Sequence, residues 1–307
     1  MFPLLFETIR RDSVISFPFL GDLHLNPPAS FTLFGREIYL YGVVIALAFL
    51  LAILYCAGRA PAFGISSDAF YDLVIWLIPF SILGARLYYV LFQADYYLAH
   101  PAEILAVWEG GLAIYGGLIA GALTCLVYCR IRKLSFPAML DVVSSGVFLG
   151  QSIGRWGNFF NREAFGAETG IFCRMGLTSP DGSTIFVHPT FLYESLWNLA
   201  GFFTLALFSR KGRRYDGQYI LFYFFWYGLG RAWIEGLRTD SLYLGNTGIR
   251  VSQLLSILLV LASGTLMLLR RRAVPQSFSS PTPSGRRRQS RAAADSGADE
   301  RTGGQHG

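Results

Sequence analysis

The residues best suited to chemistry in this sequence are two arginines that stand among apolar residues. Arg155 follows a glycine-rich stretch, and Arg231 lies in the segment GLGRAWIEG. A charged residue inside a bilayer costs about 2.5–3.5 kcal/mol, so each arginine needs a partner or a function there. A guanidinium group stays charged and presents paired N–H donors that match phosphate oxygens. The two arginines therefore indicate a site for a polyanion, and a phospholipid head group supplies one at the membrane surface.

Further polar residues lie at the same predicted depth. Arg231, Glu235 and Arg238 follow i, i+4, i+7 spacing, which places them on one helix face. Each candidate also has a structural alternative, such as a snorkelling arginine, a structural Arg–Glu pair or an interface tyrosine. Glu194 has the same kind of alternative, as a cap of the first turn of a helix. Only a common site explains the shared depth. The other candidates are Tyr41, Arg86, Tyr115, Asn158 and His188.

Seven apolar stretches are long enough to hold these residues in a membrane. Of the 307 residues, 53% are hydrophobic and only 15% are charged, whereas soluble domains carry roughly a quarter charged residues. A helix of about 20 residues crosses a bilayer. We therefore predict an all-α integral membrane protein with a seven-transmembrane-helix bundle over residues 1–272, and a disordered basic tail over 273–307. The predicted spans lie near 38–57, 70–92, 112–129, 138–154, 190–208, 217–236 and 251–270.

Basic residues in the loops predict the orientation of this bundle. Lysine and arginine concentrate in cytoplasmic loops. With seven spans, three basic groups fall on one side, whereas the 93–111 loop on the other side has no lysine or arginine. We expect the N-terminus outside, without a signal peptide, the C-terminus in the cytoplasm, and the polar site at the outer end. The three groups are Arg130, Arg132 and Lys133, then Arg210, Lys211, Arg213 and Arg214, then Arg270, Arg271 and Arg272.

Composition also argues against several other kinds of site. The net charge is +6, but eight of the 26 basic residues lie at or beyond Arg270, so the charge does not indicate a nucleic-acid partner. The four cysteines form no CxxC pair, and we expect no metal and no cofactor. The ladder Gly146, Gly150 and Gly154 has GxxxG spacing, which predicts close helix packing.

Five segments of this chain resemble the prolipoprotein diacylglyceryl transferases. The most specific is GRWGNFFNREAFG at Gly154–Gly166, which is similar to the signature of that family. Four more segments agree with the family pattern, in order along the chain. They are YG at Tyr41–Gly42, WEGGLAIYGGLIAG at Trp108–Gly121, HPTFLYE at His188–Glu194 and GLGRAWIEGLRTD at Gly228–Asp240.

The resemblance implies an activity and a set of residue roles. Members of the family move the diacylglyceryl group of phosphatidylglycerol onto the lipobox cysteine of a prolipoprotein, forming a thioether and releasing glycerol phosphate. The resemblance implies that Arg155 and Arg231 hold the departing phosphate and that Glu235 orients Arg231. Tyr41 is expected to line the same pocket. The residues expected to shape the head-group site are Asn158, Asn161, Glu163 and Gly166, and Arg86, His188 and Arg238 are further candidate substrate-binding residues.

The proton acceptor for the attacking thiol is left open by the sequence. Tyr115 is the third candidate catalytic residue, and it stands where many family members have histidine. A phenol is a weaker base than an imidazole at neutral pH. Tyr115 is therefore expected either to act in proton transfer or only to position a substrate. In the second case His188, Glu163 or a phosphate oxygen takes the proton.

Two other classes of function compete with a transferase of the bacterial inner membrane. A lipid transporter also needs charged residues in the membrane, but it requires polar groups at the midplane and on the cytoplasmic side. A scaffold without catalytic activity explains the glycine ladder but not the arginines at one depth. The sequence therefore favours the enzyme, with phosphatidylglycerol, prolipoprotein signal peptides and the bilayer as its partners.

Overall fold

Seven long helices make up most of the structure. The computed structural model describes residues 13–21, 23–209, 212–239, 243–244 and 247–273. The predicted tail lies outside the described residues, apart from Ala273, which ends the last helix. The long helices are α1 Leu40–Arg59, α2 Ser67–Phe92, α4 Ile114–Ile131, α5 Phe136–Asn161, α6 Thr190–Ser209, α7 Gln218–Leu237 and α8 Val251–Ala273, with the short α3 Ala94–Ala99 after α2.

Within the described ranges, six of these helices are long and apolar enough to cross a membrane. They are α1, α2, α4, α5, α6 and α8. The prediction of a multi-pass membrane protein is therefore confirmed. Helix α7 has 20 residues but is not among the six, and it carries Arg231 and Glu235. The count of seven crossings stays a prediction.

Helix α5 is the centre of the bundle. It packs against α1, α6 and α7, while α2 pairs mainly with α4 and α7 pairs mainly with α8. It is also the most buried of the six candidate spans. Polar residues along its length are therefore shielded from lipid by neighbouring helices, which is how a helix of modest hydropathy is accommodated in a bilayer.

The glycine ladder of α5 provides the contact with α1, as predicted. A Cβ atom at Gly146 would overlap the sulfur of Cys56, and one at Gly154 would lie 3.2 Å from Cδ1 of Ile45. Only glycine allows the two backbones to approach this closely. The middle of α5 is thereby fixed against α1 over about two turns.

A buried carboxylate ties α5 to the start of α7. Asp141 is fully buried, and its side-chain oxygens accept hydrogen bonds from the backbone N–H groups of Gly217, Tyr219 and Ile220 at 2.8–3.0 Å. The first N–H groups of a helix have no partner within the helix, and an acidic side chain satisfies them. Asp141 therefore fixes where α7 begins, at the end of the bundle remote from Arg155.

Six short strands correct the prediction of an all-α fold. A four-stranded antiparallel sheet has the order β2-β1-β5-β6, and β3 and β4 form a separate hairpin. The sheet joins the segment before α1 to the loop between α5 and α6, and Ile15 and Val187 are buried in its core. The strands are β1 Val14–Phe17, β2 Leu23–Leu25, β3 Ser30–Leu33, β4 Arg36–Tyr39, β5 Met175–Thr178 and β6 Thr184–Val187.

Candidate active site

A buried carboxylate in the first turns of α6 draws three arginines together. Glu194 is only 4% exposed. Its Oε2 is paired with Nη2 of Arg155, and its Oε1 lies 2.7 Å from Nη1 of Arg231 and 3.5 Å from Nη1 of Arg238. The arginines come from the C-terminal part of α5 and from the C-terminal end of α7, so one side chain of α6 joins three helices. We call these four residues the arginine cluster.

A second carboxylate holds Arg231 from the other side. Oε2 of Glu235 lies 2.6 Å from Nη2 of Arg231, one turn away on α7. Oε1 of Glu235 accepts a hydrogen bond of 2.6 Å from the hydroxyl of Ser252 on α8. The Arg231–Glu235 pair expected from the i, i+4 spacing is therefore present. Because both terminal nitrogens of Arg231 are held, its guanidinium plane is fixed.

The electrostatics of the cluster favour an anion. Three arginines meet the two carboxylates Glu194 and Glu235. The carboxylates are almost fully buried, whereas the side chains of Arg155 and Arg231 remain 24% and 17% exposed. The positive groups therefore face the accessible side. A phosphate placed there would meet N–H donors that are already oriented.

Asn158 and Glu163 extend the site at the end of α5. Nη1 of Arg155 lies 3.4 Å from Oδ1 of Asn158, and Nδ2 of Asn158 donates to Oε1 of Glu163 at 2.9 Å. The chain turns back here because Arg162 adopts a left-handed conformation with φ 52°. The turn brings Glu163 to Asn158, and the role of both residues in a head-group site stays a prediction. Asn161 is the last residue of α5 and is half-buried.

Gly166 is a junction between three segments. Its N–H donates to the carbonyl of His188 at 2.9 Å, and it forms an isolated β-bridge with Arg238. A Cβ atom at this position would lie 2.7 Å from Cβ of His188 and 2.8 Å from the carbonyl oxygen of Leu237. No other residue fits. Gly166 therefore contributes to the site by fixing the backbone of Arg238 beside the residues that precede α6.

A cavity of about 590 Å³ opens beside the arginine cluster. Its polar end is lined by Tyr41, Arg155, Asn158 and Arg238. The Tyr41 ring packs on Gly157, where a Cβ atom would lie 2.8 Å from the ring. The rest of the cavity runs between α1, α2 and α5 along apolar side chains. These include Ile45, Ala48, Phe49, Ala52, Phe70, Leu73, Val74, Leu77, Val143 and Val147.

Arg86 lies away from this cavity and serves the outer loop. It is 4% exposed, and its guanidinium donates to the backbone carbonyls of Glu103, Ile104, Gly110 and Gly111 at 2.6–3.2 Å. These carbonyls belong to the 93–111 loop, which the arginine gathers around the end of α2. Arg86 therefore has a structural role in this loop, and its expected contact with substrate stays a prediction.

Tyr115 and His188 are not among the residues that line the cavity. Tyr115 lies in the first turn of α4 and is 48% exposed, while its neighbour Ile114 lines the cavity. Nδ1 of His188 lies 3.4 Å from the hydroxyl of Tyr193. Burial lowers the pKa of the His188 imidazole below its usual value, which favours the neutral ring. Of the two, His188 contacts the site, because its backbone carbonyl accepts a hydrogen bond from the N–H of Gly166.

Glu194 is the member of the arginine cluster that the sequence analysis did not assign to the site. A helix cap was considered as its structural alternative, because it stands in the first turns of α6. The signal that could have identified it is a carboxylate at the same depth as Arg155 and Arg231, since buried charges occur in pairs. In the part of the chain that the structure describes, no group of three His, Cys, Asp or Glu residues is placed to hold a metal ion.

Comparisons with known proteins agree with the resemblance seen in the motifs. The prolipoprotein diacylglyceryl transferase family matches residues 28–269. A phosphatidylglycerol–prolipoprotein diacylglyceryl transferase of Lactiplantibacillus plantarum is 42% identical over 261 residues, which cover 82% of this chain and 92% of the relative. Proteins of the same name from Listeria welshimeri and Streptococcus equi subsp. equi are each 44% identical, over 80% of this chain and 90% and 95% of the relatives. The chain therefore belongs to the prolipoprotein diacylglyceryl transferase family.

Proposed function

We propose that this protein transfers the diacylglyceryl group of phosphatidylglycerol to the lipobox cysteine of a prolipoprotein and releases glycerol phosphate. The observation that carries the proposal is the arginine cluster at the polar end of a cavity whose remaining walls are apolar except for Gln151. A phospholipid has the same division, with one anionic phosphate next to two apolar chains. The names of the relatives, which specify this lipid and this acceptor, support the same conclusion.

The lipid enters this cavity with its phosphate at Arg155 and Asn158. Both residues line the polar end, and Arg155 is fixed by Glu194. The acyl chains lie between α1, α2 and α5, where burial of apolar surface contributes about 25 cal/mol per Å². The scissile bond joins the glycerol carbon to the phosphate oxygen, so it lies between the apolar walls and the arginines.

The reaction is a displacement at that glycerol carbon. The thiolate sulfur forms a bond to the carbon, the carbon–oxygen bond breaks, and the electron pair goes to the phosphate oxygen of the leaving glycerol phosphate. The leaving group gains negative charge in the transition state. Arg155 and Arg231 stabilise that charge, because their orientation is already set by Glu194 and Glu235.

The proton of the thiol goes to Glu163 in this proposal. Glu163 accepts a hydrogen bond from Asn158, which lines the cavity, so its carboxylate lies next to the phosphate position. Neither Glu163 nor Tyr115 lines the cavity, but Glu163 is bonded to a lining residue, and a neutral phenol is a poor proton acceptor. Tyr115 therefore contacts the incoming peptide at the rim of the site instead of accepting its proton.

The site faces the outside of the bacterial inner membrane in this proposal, and α7 is the seventh crossing. Arg155, Arg231 and Glu194 lie at the end of the bundle that carries the strands. Among the described side chains, exposed basic residues concentrate at the other end, which therefore faces the cytoplasm. They include Arg130, Arg132, Lys133, Arg214 and Arg270, whereas most arginines at the site end are buried or half-buried.

Purified protein in detergent, mixed with phosphatidylglycerol labelled in an acyl chain and with a lipobox peptide, tests the activity. We expect label on the peptide cysteine that neutral hydroxylamine, which cleaves thioesters, does not release. A peptide with serine in place of the cysteine is the control. Movement of labelled lipid between the leaflets of vesicles that contain the protein, without transfer to the peptide, would instead identify a transporter.

A further inference from the structure

A glutamine stands in the wall of the lipid cavity one helical turn below Arg155. Gln151 and Arg155 have i, i+4 spacing on α5, and both line the cavity. At 1.5 Å per residue, Gln151 lies about 6 Å deeper than Arg155. Its neighbours in the wall at this depth, Val147 and Gly150, offer no polar side chain. A polar side chain in this position therefore requires its own explanation.

The amide of Gln151 is only half satisfied. Its Nε2 is placed 2.9 Å from the hydroxyl of Tyr223. Among the residues that the structure describes, its buried Oε1 has no hydrogen-bonding partner. A buried polar atom without a partner costs about 1–3 kcal/mol. The cavity that Gln151 lines is the place from which a ligand atom can satisfy the amide.

The chemistry of the amide allows either end to face Tyr223. The two ends of an amide are assigned from the hydrogen-bond network, since oxygen and nitrogen have the same shape. With the amide turned over, the Tyr223 hydroxyl donates to Oε1, and the two N–H groups of Nε2 become available. The side chain then needs an acceptor in the cavity, and a neutral carbonyl oxygen suits it.

We propose that Gln151 donates a hydrogen bond to an ester carbonyl of the diacylglycerol unit, and thereby selects ester-linked over ether-linked lipids. This inference rests on the proposed function. In a glycerophospholipid, the glycerol unit separates the phosphate from the first ester carbonyl by about the spacing of one helical turn. With the phosphate at Arg155, that carbonyl lies level with Gln151. An ether lipid has the same phosphate and the same scissile bond but lacks the carbonyl.

The test compares two lipids that differ only in this carbonyl. The kcat/KM of the full-length protein is measured with diacyl phosphatidylglycerol and with its dialkyl ether analogue, each with a lipobox peptide. We expect wild type to prefer the diacyl lipid roughly fivefold or more, the factor for one neutral hydrogen bond. Gln151→Met keeps the length of the side chain, and it should lower kcat/KM for the diacyl lipid by that factor while leaving the ether lipid within about twofold.

Two further variants separate selection from folding. Tyr223→Phe removes the hydroxyl that anchors the amide while keeping the ring, so it should reduce the diacyl preference even if Gln151→Met does not fold. Gln253→Met is the matched control, because Gln253 bonds the carbonyl of Ala232 and does not line the cavity. It should keep the wild-type preference.

Equal use of both lipids by wild type would overturn the inference, and so would a Gln151→Met variant that keeps the diacyl preference. An equal loss on both lipids would also overturn it, since that result means a structural role. Absence of transfer from either lipid by wild type would instead overturn the proposed function itself.

Discussion

At the scale of single residues, Glu194 holds the centre of the site. One buried carboxylate is shared by Arg155 from α5 and Arg231 from α7. Removing one partner from a buried ionic group is costly, about 3–5 kcal/mol, because the remaining charges stay desolvated. The negative charge of Glu194 thus offsets the repulsion between Arg155 and Arg231, so both can lie near the apolar walls of the cavity.

Glu194→Gln is expected to reduce transfer strongly. The amide has nearly the same shape but no charge, so Arg155 and Arg231 lose the group that orients them, and a loss of about 10²-fold in kcat/KM is expected. Glu37→Gln is a suitable control, because Glu37 lies in the exposed β3–β4 hairpin, bonded to Ser30. Activity within a few-fold of wild type for Glu194→Gln would show that the arginines are held by other groups.

Lysine should replace the arginines poorly. Arg231 uses two terminal nitrogens at once, toward Glu194 and Glu235, and an ammonium group cannot reproduce that fork. We expect Arg155→Lys and Arg231→Lys to lose about 10²–10³-fold in kcat. Arg174→Lys, on an exposed loop beside Phe186, should remain near wild type. Full activity of both lysine variants would mean that a point charge is enough.

The assignment of the proton acceptor is tested by a pair of variants. Tyr115→Phe keeps the ring and removes an exposed hydroxyl, so we expect a loss smaller than tenfold across pH 6–9. Glu163→Gln keeps the hydrogen-bonding shape beside Asn158 but removes the base, so its loss should be about 10²–10⁴-fold. The reverse order, with normal lipid binding in both variants, would assign the proton transfer to Tyr115.

At the scale of elements, the 93–111 loop is held by Arg86, which the sequence analysis named as a candidate substrate-binding residue. Arg86 gathers four carbonyls of the 93–111 loop, and its guanidinium also lies over the Tyr97 ring at 5.1 Å. Carbonyls of an irregular loop have no partners of their own, and a buried guanidinium satisfies several at once. The loop therefore depends on α2 for its shape.

Arg86→Met should loosen this loop more than it weakens lipid binding. Four carbonyls lose their donor, so the free energy of unfolding should fall by about 2 kcal/mol or more. Limited proteolysis should cut faster between residues 93 and 111, while KM for phosphatidylglycerol changes less than about fivefold. Arg132→Met, at an exposed ion pair with Asp72, is the control for stability. A large rise in the KM for phosphatidylglycerol, with normal protease resistance of the Arg86→Met variant, would identify Arg86 as a substrate contact.

At the scale of the whole molecule, the two ends of the bundle differ in charge and in construction. The strands, the arginine cluster and the mouth of the cavity share one end. The other end carries basic loops and the Asp141 cap of α7. From this polarity, the positive-inside rule predicts that the end with the basic loops faces the cytoplasm.

Labelling with a membrane-impermeant thiol reagent tests that direction. In a Cys173→Ser background, a cysteine at the exposed Ala102 should react in intact cells. A cysteine at the exposed Arg130 should react only after the membrane is opened. Denatured samples of both variants provide the control for thiol reactivity. Reversed accessibility would place the site at the cytoplasmic face and contradict the orientation.

What the sequence determined by itself is local in character. Apolar stretches predict helices in a membrane because a helix satisfies the hydrogen bonds of its own backbone. The GxxxG spacing of α5 predicts a close helix contact because it places small residues on one face of the helix. The signature segment identified the family and Arg155, Asn158 and Glu163 without knowledge of distances. The strands were missed because each has only three or four residues, too few for an alternating pattern.

The tertiary structure alone decided which polar groups meet. Glu194 and Arg231 are 37 positions apart, and Gln151 and Tyr223 are 72 apart, so no spacing in the sequence relates them. The same holds for Arg86, whose depth matched the site although its partners are loop carbonyls. Depth along a helix is encoded by residue number, but the direction in which a side chain points across the bundle depends on how the helices pack. That packing separates the residues of the cavity from those that support it.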